Sequence, residues 1–197
     1  MKNTLSFAAL CCIFSFSAAA DEIEHHHIST GLSLGTIQTT SKLKFNEDYS
    51  LMSHDIAYQY RFNQDWALEV GYRYGSPPSI YAAFGRIFGQ EFEFDKVKSM
   101  RLAGVYNWSL SRRNLLQAKL GIQQYNVKYT IIDVEKDEPN GVKRVYNGYT
   151  KSGANAFVGL GWKYQFDSGL SLGIDFDYQP MEVAKTQSFT FNVGYRF

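Results

Sequence analysis

Residues Ser188-Phe-Thr-Phe-Asn-Val-Gly-Tyr-Arg-Phe197 decide the fold. Phe189, Phe191, Val193, Tyr195 and Phe197 take every second position, and Ser188, Thr190, Asn192, Gly194 and Arg196 take the others. A β-strand sends successive side chains to opposite faces, so this segment has one wholly apolar face and one polar face that carries a charge. Lipid outside and a polar interior call for that arrangement.

Seven further segments alternate in the same way. They lie near residues 27–37, 51–62, 66–74, 99–110, 116–123, 155–166 and 170–178. In the second, Ile56, Tyr58, Tyr60 and Phe62 oppose Asp55, Ala57, Gln59 and Arg61; in the seventh, Leu170, Leu172, Ile174 and Phe176 oppose Ser171, Gly173, Asp175 and Asp177. Tilted strands of roughly ten residues match the apolar height of an outer membrane. Even-numbered segments are followed by short connections, Asn63-Gln64-Asp65, Ser111 to Asn114 and Asp167-Ser168-Gly169, made of residues that tight turns favour. Odd-numbered segments are followed by longer ones, near residues 38–50, 75–97, 125–153 and 179–187. Short turns at one rim and long loops at the other fit a membrane barrel with the short turns and both termini in the periplasm. Phe62, Trp66, Trp108, Trp162, Tyr164 and Phe166 flank the short turns, as ring belts at a lipid–water boundary do.

Composition and the N-terminus agree. Lys2, the apolar run Leu5 to Phe16 and Ala18-Ala19-Ala20 have the layout of a secretory signal peptide, so residues 1–20 are expected to be cleaved and 21–197 to form one barrel domain. Cys11 and Cys12 would leave with the signal, which excludes disulfide and thiol chemistry in the mature chain. Loss of Lys2 takes Lys plus Arg from 20 to 19, against 19 Asp plus Glu. A neutral chain offers no electrostatic basis for binding nucleic acid. Aromatics make up 16% of the residues, which favours strands.

Alternation alone leaves open a secreted barrel with its apolar face inward. Three features argue against it. The polar face is rich in glycine (Gly31, Gly35, Gly71, Gly121, Gly159, Gly161, Gly173, Gly194), which a narrow lumen needs beside long charged side chains and a solvated exterior does not. Bulky aromatics crowd the strand ends of the apolar face. The export signal and the parity of the loops point the same way. The expected fold is an all-β, eight-stranded antiparallel up-and-down transmembrane β-barrel.

With these features the chain resembles the small eight-stranded outer-membrane barrels of the OmpA/OmpX/Ail type in Gram-negative bacteria. The likeness covers the mature chain and leaves no stretch for a peptidoglycan-binding domain. Gly71-Tyr-Arg-Tyr74 and Gly159-Leu-Gly-Trp-Lys-Tyr164 share the family look. The resemblance implies that Phe189, Phe191, Val193, Tyr195 and Phe197 are the signal read by the barrel-assembly machinery. It implies outer-membrane lipid and lipopolysaccharide as surroundings, and leaves the activity open.

Asp55, Arg61, Glu69, Arg73, Arg101, Lys119, Lys163, Asp175, Asp177 and Arg196 fall on the inward face. Charges away from bulk water must pair or keep water, so an interlocking polar network filling the lumen is expected. A narrow path for small or hydrophobic solutes is the alternative. The run His25-His-His27 makes a poor metal site, because consecutive side chains diverge in an extended segment. A lipid A enzyme would resemble barrels with a lipid-facing His-X-Ser at the outer rim; the only such triplet, His27-Ile28-Ser29, lies at the other end. No catalytic, metal or cofactor site is expected, and the protein is expected to be a monomer.

The two largest loops are the candidates for function. Residues 125–153 hold Pro139-Asn-Gly141 between strand-like runs, a hairpin signal, so strands five and six are expected to continue as a ribbon beyond the membrane. Tyr81, Phe84, Phe88, Phe92, Ile131, Asn140 and Tyr146 are the expected surface contacts, through which the loops would bind a host or surface macromolecule in adhesion or serve envelope integrity.

Overall fold

The computed structural model describes residues 24–40, 48–78, 92–137 and 141–197. All regular elements among them are strands: β1 (His26–Thr39), β2 (Asp48–Arg61), β3 (Trp66–Ser76), β4 (Phe92–Ser109), β5 (Asn114–Asp137), β6 (Gly141–Gln165), β7 (Leu170–Pro180) and β8 (Ala184–Arg196). Each pairs antiparallel with its neighbour in sequence, and β1 pairs with β8, so the sheet closes into a barrel. Thr30 lies opposite Ile56 on one side and Val193 on the other. Closure removes the sheet edges that an open sheet would leave unpaired in lipid.

The short turns are set by side-chain caps. Asn63 Oδ1 accepts the N–H groups of Asp65 (3.0 Å) and Trp66 (2.8 Å). Ser111 Oγ accepts those of Arg113 (3.4 Å) and Asn114 (3.2 Å). Gly169 takes φ of 85°, where a side chain would be strained and a Cβ would sit 2.8 Å from the Arg196 carbonyl.

Outward side chains, even-numbered on β1 to β7 and odd-numbered on β8, cover the wall with apolar surface. Leu120 and Leu160, on neighbouring strands, are 66% and 60% exposed within an apolar band that runs round the barrel. A patch of that extent belongs against lipid and not water. Aromatic rings line its short-turn edge, with Trp66 edge-on to Tyr106 (4.9 Å between centroids), Tyr106 edge-on to Trp108 (5.2 Å) and Tyr164 edge-on to Phe166 (4.9 Å).

The structure departs from the sequence expectation at two places. Strand β4 reaches well past the expected end at Ser99, while β5 and β6 run on past Gln123 and Asn155 as the expected ribbon, paired without interruption to Asp137 opposite Gly141. The expected long connection near residues 179–187 is only Met181-Glu182-Val183. Pro180, with no N–H to give the ladder, ends β7 there, and the Met181 N–H donates to the Ala184 carbonyl (2.7 Å).

The reason for the first difference is an inversion of polarity with height. Within the apolar band, odd-numbered positions of β5 are polar and point inward: Gln117, Lys119, Gln123. Beyond it the same inward parity carries Tyr125, Val127 and Tyr129, all buried, while Asn126 and Lys128 face out. Val97 of β4, Leu51 of β2 and Ile37 of β1 repeat the pattern at the same end. Lipid outside selects apolar-out, polar-in; water outside selects the reverse.

Candidate functional site

The lumen is filled in three tiers. The middle tier is ionic. Arg73 Nε lies 2.8 Å from Asp55 Oδ1 and its Nη2 2.6 Å from Asp177 Oδ2. Arg101 Nη2 lies 2.5 Å from Asp55 Oδ1 and Nη1 3.4 Å from Asp177 Oδ2. One tier nearer the short turns, Lys119 Nζ reaches Glu69 (3.0 Å) and Asp175 (3.4 Å). Gln59 donates to Glu69 (2.7 Å) and accepts from Lys163 (3.4 Å), and Asn192 donates to Asp175 (2.7 Å). Small residues make the room: a Cβ on Gly159 would stand 2.6 Å from Asp177 Oδ1, and one on Gly71 would stand 3.3 Å from Arg101 Nη2. The void left between these groups is about 20 Å³, enough for about one water.

Towards the long strands the lumen is closed by an apolar cluster of Ile37, Leu51, Phe94, Val97, Tyr125 and Val127, with Met181, Val183 and Ala184 from the β7–β8 corner. That corner is pinned across the mouth: Tyr125 Oη accepts the Glu182 N–H (2.8 Å), Gln123 and Asn155 donate to the Pro180 carbonyl (3.1 and 3.3 Å), and Lys151 Nζ lies 3.3 Å from Glu182. Composition gave no sign of this cap. Its signal lay in the odd-numbered run Tyr125, Val127, Tyr129, read as loop.

Sequence-selected residues fall as follows. All ten inward charges line the lumen, eight of them in the ionic tiers; Arg61 and Arg196 stand apart at the short-turn mouth, where Arg196 Nη1 lies 3.0 Å from Glu24. Phe189, Phe191, Val193 and Tyr195 all face outward. Of the expected surface contacts, Tyr81, Phe84, Phe88 and Asn140 lie outside the described residues. Phe92 begins β4, and Tyr146 is exposed on the ribbon. Ile131 does not project; it packs half-buried against the apolar cluster.

The histidines are dispersed. His25 stacks on Tyr60 and His26 on Phe197, while His27 is buried in the lumen with Nε2 2.9 Å from Ser171 Oγ. His54 faces outward and its neighbour Ser53 is buried inward, so they share no face. Among the described residues no group of three acidic, His or Cys side chains gathers as a metal site would.

Before Val158, β6 has only one neighbour. It pairs with β5 throughout, but its ladder with β7 runs only from Val158 opposite Tyr178 to Gln165 opposite Ser171. From Gly141 to Phe157 the other edge is unpaired among the described residues. On the opposite side of the ribbon, β4 covers β5 up to Phe92 opposite Ile131.

A closed eight-stranded barrel with an apolar wall, a plugged polar lumen and an aromatic belt is a small outer-membrane barrel. The chain belongs to the outer membrane protein beta-barrel domain family, whose sequence pattern matches residues 7–197. Among solved structures it is similar to Ail, the attachment invasion locus protein of Yersinia pestis, with a TM-score of 0.59 and 14% identity over 89% of this chain and 100% of that one. It is similar also to Ail in complex with the heparin analogue sucrose octasulfate (TM-score 0.56, 16% identity, 89% and 100% covered). Neisserial surface protein A gives a TM-score of 0.55 with 14% identity over 87% of this chain and 97% of that one. At such identities the likeness is one of fold. No curated protein matches the sequence.

Proposed function

We propose that this barrel is a non-enzymatic surface-binding protein whose β5–β6 ribbon holds an extended segment of an extracellular protein. The observation that carries the reading is the unpaired edge of β6 from Gly141 to Phe157. β5 continues from Gln124 to Asp137. At ~3.4 Å per residue that is roughly 45 Å of strand beyond the apolar band. An exposed edge of this length is a template for strand addition, with backbone hydrogen bonds supplying affinity. Natural edges are blunted by Pro or clustered Lys; from Gly141 to Phe157 there is no Pro, and the cations are Lys143 and Arg144 near the tip and Lys151. Exposed Tyr146 and Tyr149 add anchoring surface beside it.

Self-association through this edge is disfavoured by geometry. Two copies inserted the same way up would bring their β6 edges together parallel and crossing, because rotation about the membrane normal preserves up and down while reversing tilt. On this reading the protein acts as a monomer. Its termini and short turns face the periplasm, residues 1–20 are the export signal, and the row Phe189 to Phe197 is read by the barrel-assembly machinery during insertion among outer-membrane lipid and lipopolysaccharide. The plugged lumen favours binding over conduction.

Deletion of Lys136 to Val145 tests the reading. The deleted protein should still assemble and shift on a gel between unboiled and boiled states, and should lose binding to extracellular-matrix proteins and host cells. The Ail complex is a reason to add a sulfated glycan to the probes. Unchanged binding to every partner that the intact protein binds would rule the ribbon out.

A further inference from the structure

The short-turn mouth of the lumen is built unlike the ionic tier. Arg61 ends β2, Gln165 ends β6 and Arg196 ends β8; with Arg112 from a turn and Glu24 from the lead-in they line an open vestibule of about 600 Å³. Arg61 is 7% exposed and Gln165 6%. Arg61 Nε and Nη2, Gln165 Nε2 and Arg196 Nε are all buried donors with no acceptor in the protein. In the ionic tier Arg73 places Nε, Nη1 and Nη2 on Asp55, Ser188 and Asp177, and Arg101, with Nε unanswered, still sets both Nη groups on carboxylates.

Among the described residues Glu24 is the only carboxylate lining the vestibule, and Arg196 Nη1 lies 3.0 Å from it. Arg196 Nη2 donates to the Phe166 carbonyl (3.1 Å), which leaves Nε free. Asp167, on the adjacent turn, pairs outside the mouth with Arg113 at 2.5 Å. Among the described residues three arginines and one carboxylate, whose Oε2 is ion-paired with Arg196 but accepts no hydrogen bond, therefore share one concavity. Burying a guanidinium donor without an acceptor costs free energy that one oxyanion, with several lone pairs, recovers at once.

We propose that this vestibule is a binding site for a phosphate-class oxyanion, held by the guanidiniums of Arg61 and Arg196 and the amide N–H of Gln165. Guanidinium groups present planar donor pairs that match phosphate oxygens, and the number of unanswered donors exceeds what one planar carboxylate accepts comfortably. Arg112 at the turn adds long-range attraction. The phosphate comes either from free ion in solution or from a phosphorylated headgroup at the membrane surface.

The test uses the folded, ¹⁵N-labelled full barrel in detergent micelles, where both mouths are accessible. Inorganic phosphate is titrated at constant ionic strength against chloride while the arginine Nε–H resonances are followed; a second arm uses glycerol phosphate as the soluble headgroup fragment. A saturating shift of the Arg61 and Arg196 signals is expected, weakened at least about tenfold, or ~1.4 kcal/mol, by Arg61→Gln and unchanged by Arg113→Gln. Equal affinity in both arms assigns the free ion as sufficient, and tighter glycerol phosphate binding assigns the headgroup; either supports the site. Should Arg61→Gln fail to fold, Gln165→Leu removes one donor without changing charge and should also weaken binding. No saturation, or the same response with Arg113 shifting alongside, would mean an adventitious ion only and overturn the proposal.

Discussion

Arg73 on β3 is held at once by Asp55 on β2, at 2.8 Å, and by Asp177 on β7, at 2.6 Å. One guanidinium thus ties neighbouring and distant staves of the barrel through its interior. Arg73→Ala would leave two buried carboxylates relying on Arg101 alone. Removing one partner of such a buried set costs about 3–5 kcal/mol. The expected result is a lower denaturant midpoint for the folded barrel in detergent, read by the loss of the fast-migrating unboiled gel band.

Gly159 offers a test of lumen packing that changes no charge. A Cβ there would meet Asp177 Oδ1 at 2.6 Å, whereas one at Gly148, on the ribbon, would meet nothing within 4 Å. Gly159→Ala should destabilise by about 1–3 kcal/mol, since Arg73 fixes the carboxylate it displaces. Gly148→Ala should stay within about 0.5 kcal/mol of the parent. Comparable effects at the two positions would mean that the inward glycines are not there for space.

The apolar cap makes its own prediction. Tyr125→Phe removes the oxygen that accepts the Glu182 N–H, leaving the ring among Val127, Met181 and Val183. Loss of one such buried hydrogen bond costs about 1 kcal/mol. Hydrogen exchange at the Glu182 amide should quicken by roughly fivefold, with little change at Asn192 in the ionic tier. Equal acceleration at both sites would mean global destabilisation and not release of the corner.

Conductance separates the two closures. Planar bilayers with the wild-type barrel should be silent, because ionic and apolar tiers lie in series. Arg101→Ala should also be silent: it opens the ionic tier, while Phe94, Val97 and Val127 still close the cap. Stepwise currents in wild type would favour the channel reading over the binding one.

Much of this architecture could be read from alternation. Eight apolar rows and the Asn, Ser and Gly turns between them mark eight strands, and the inward charges follow from parity alone. Alternation of a single polarity does not reveal the start of β4, and the ribbon of β5 and β6 is legible from Pro139-Asn-Gly141 instead. Past Gln123 the outward residues are Gln124, Asn126 and Lys128 and the inward ones Tyr125, Val127 and Tyr129, a pattern that is strand-like with the faces exchanged. The change of solvent at the membrane surface causes the exchange. Read with that in mind, it also marks where the barrel leaves the lipid. Which charges pair was not legible either. Asp55 and Asp177 are far apart in sequence and meet the same two arginines only because β1 closes on β8. The vestibule was hidden for a related reason: Arg61 and Arg196 look like further members of the ionic set until closure places them a tier away from any free carboxylate.

The proposed function requires that the ribbon project from the cell surface while the short turns and the arginine-lined mouth face the periplasm. Single cysteines at Tyr146, exposed on the ribbon, and at Arg112, probed on intact cells with a membrane-impermeant maleimide, decide it. Tyr146→Cys should label on intact cells, and Arg112→Cys only after the outer membrane is permeabilised. Labelling of Arg112→Cys on intact cells with Tyr146→Cys protected would place the ribbon inside and overturn this orientation.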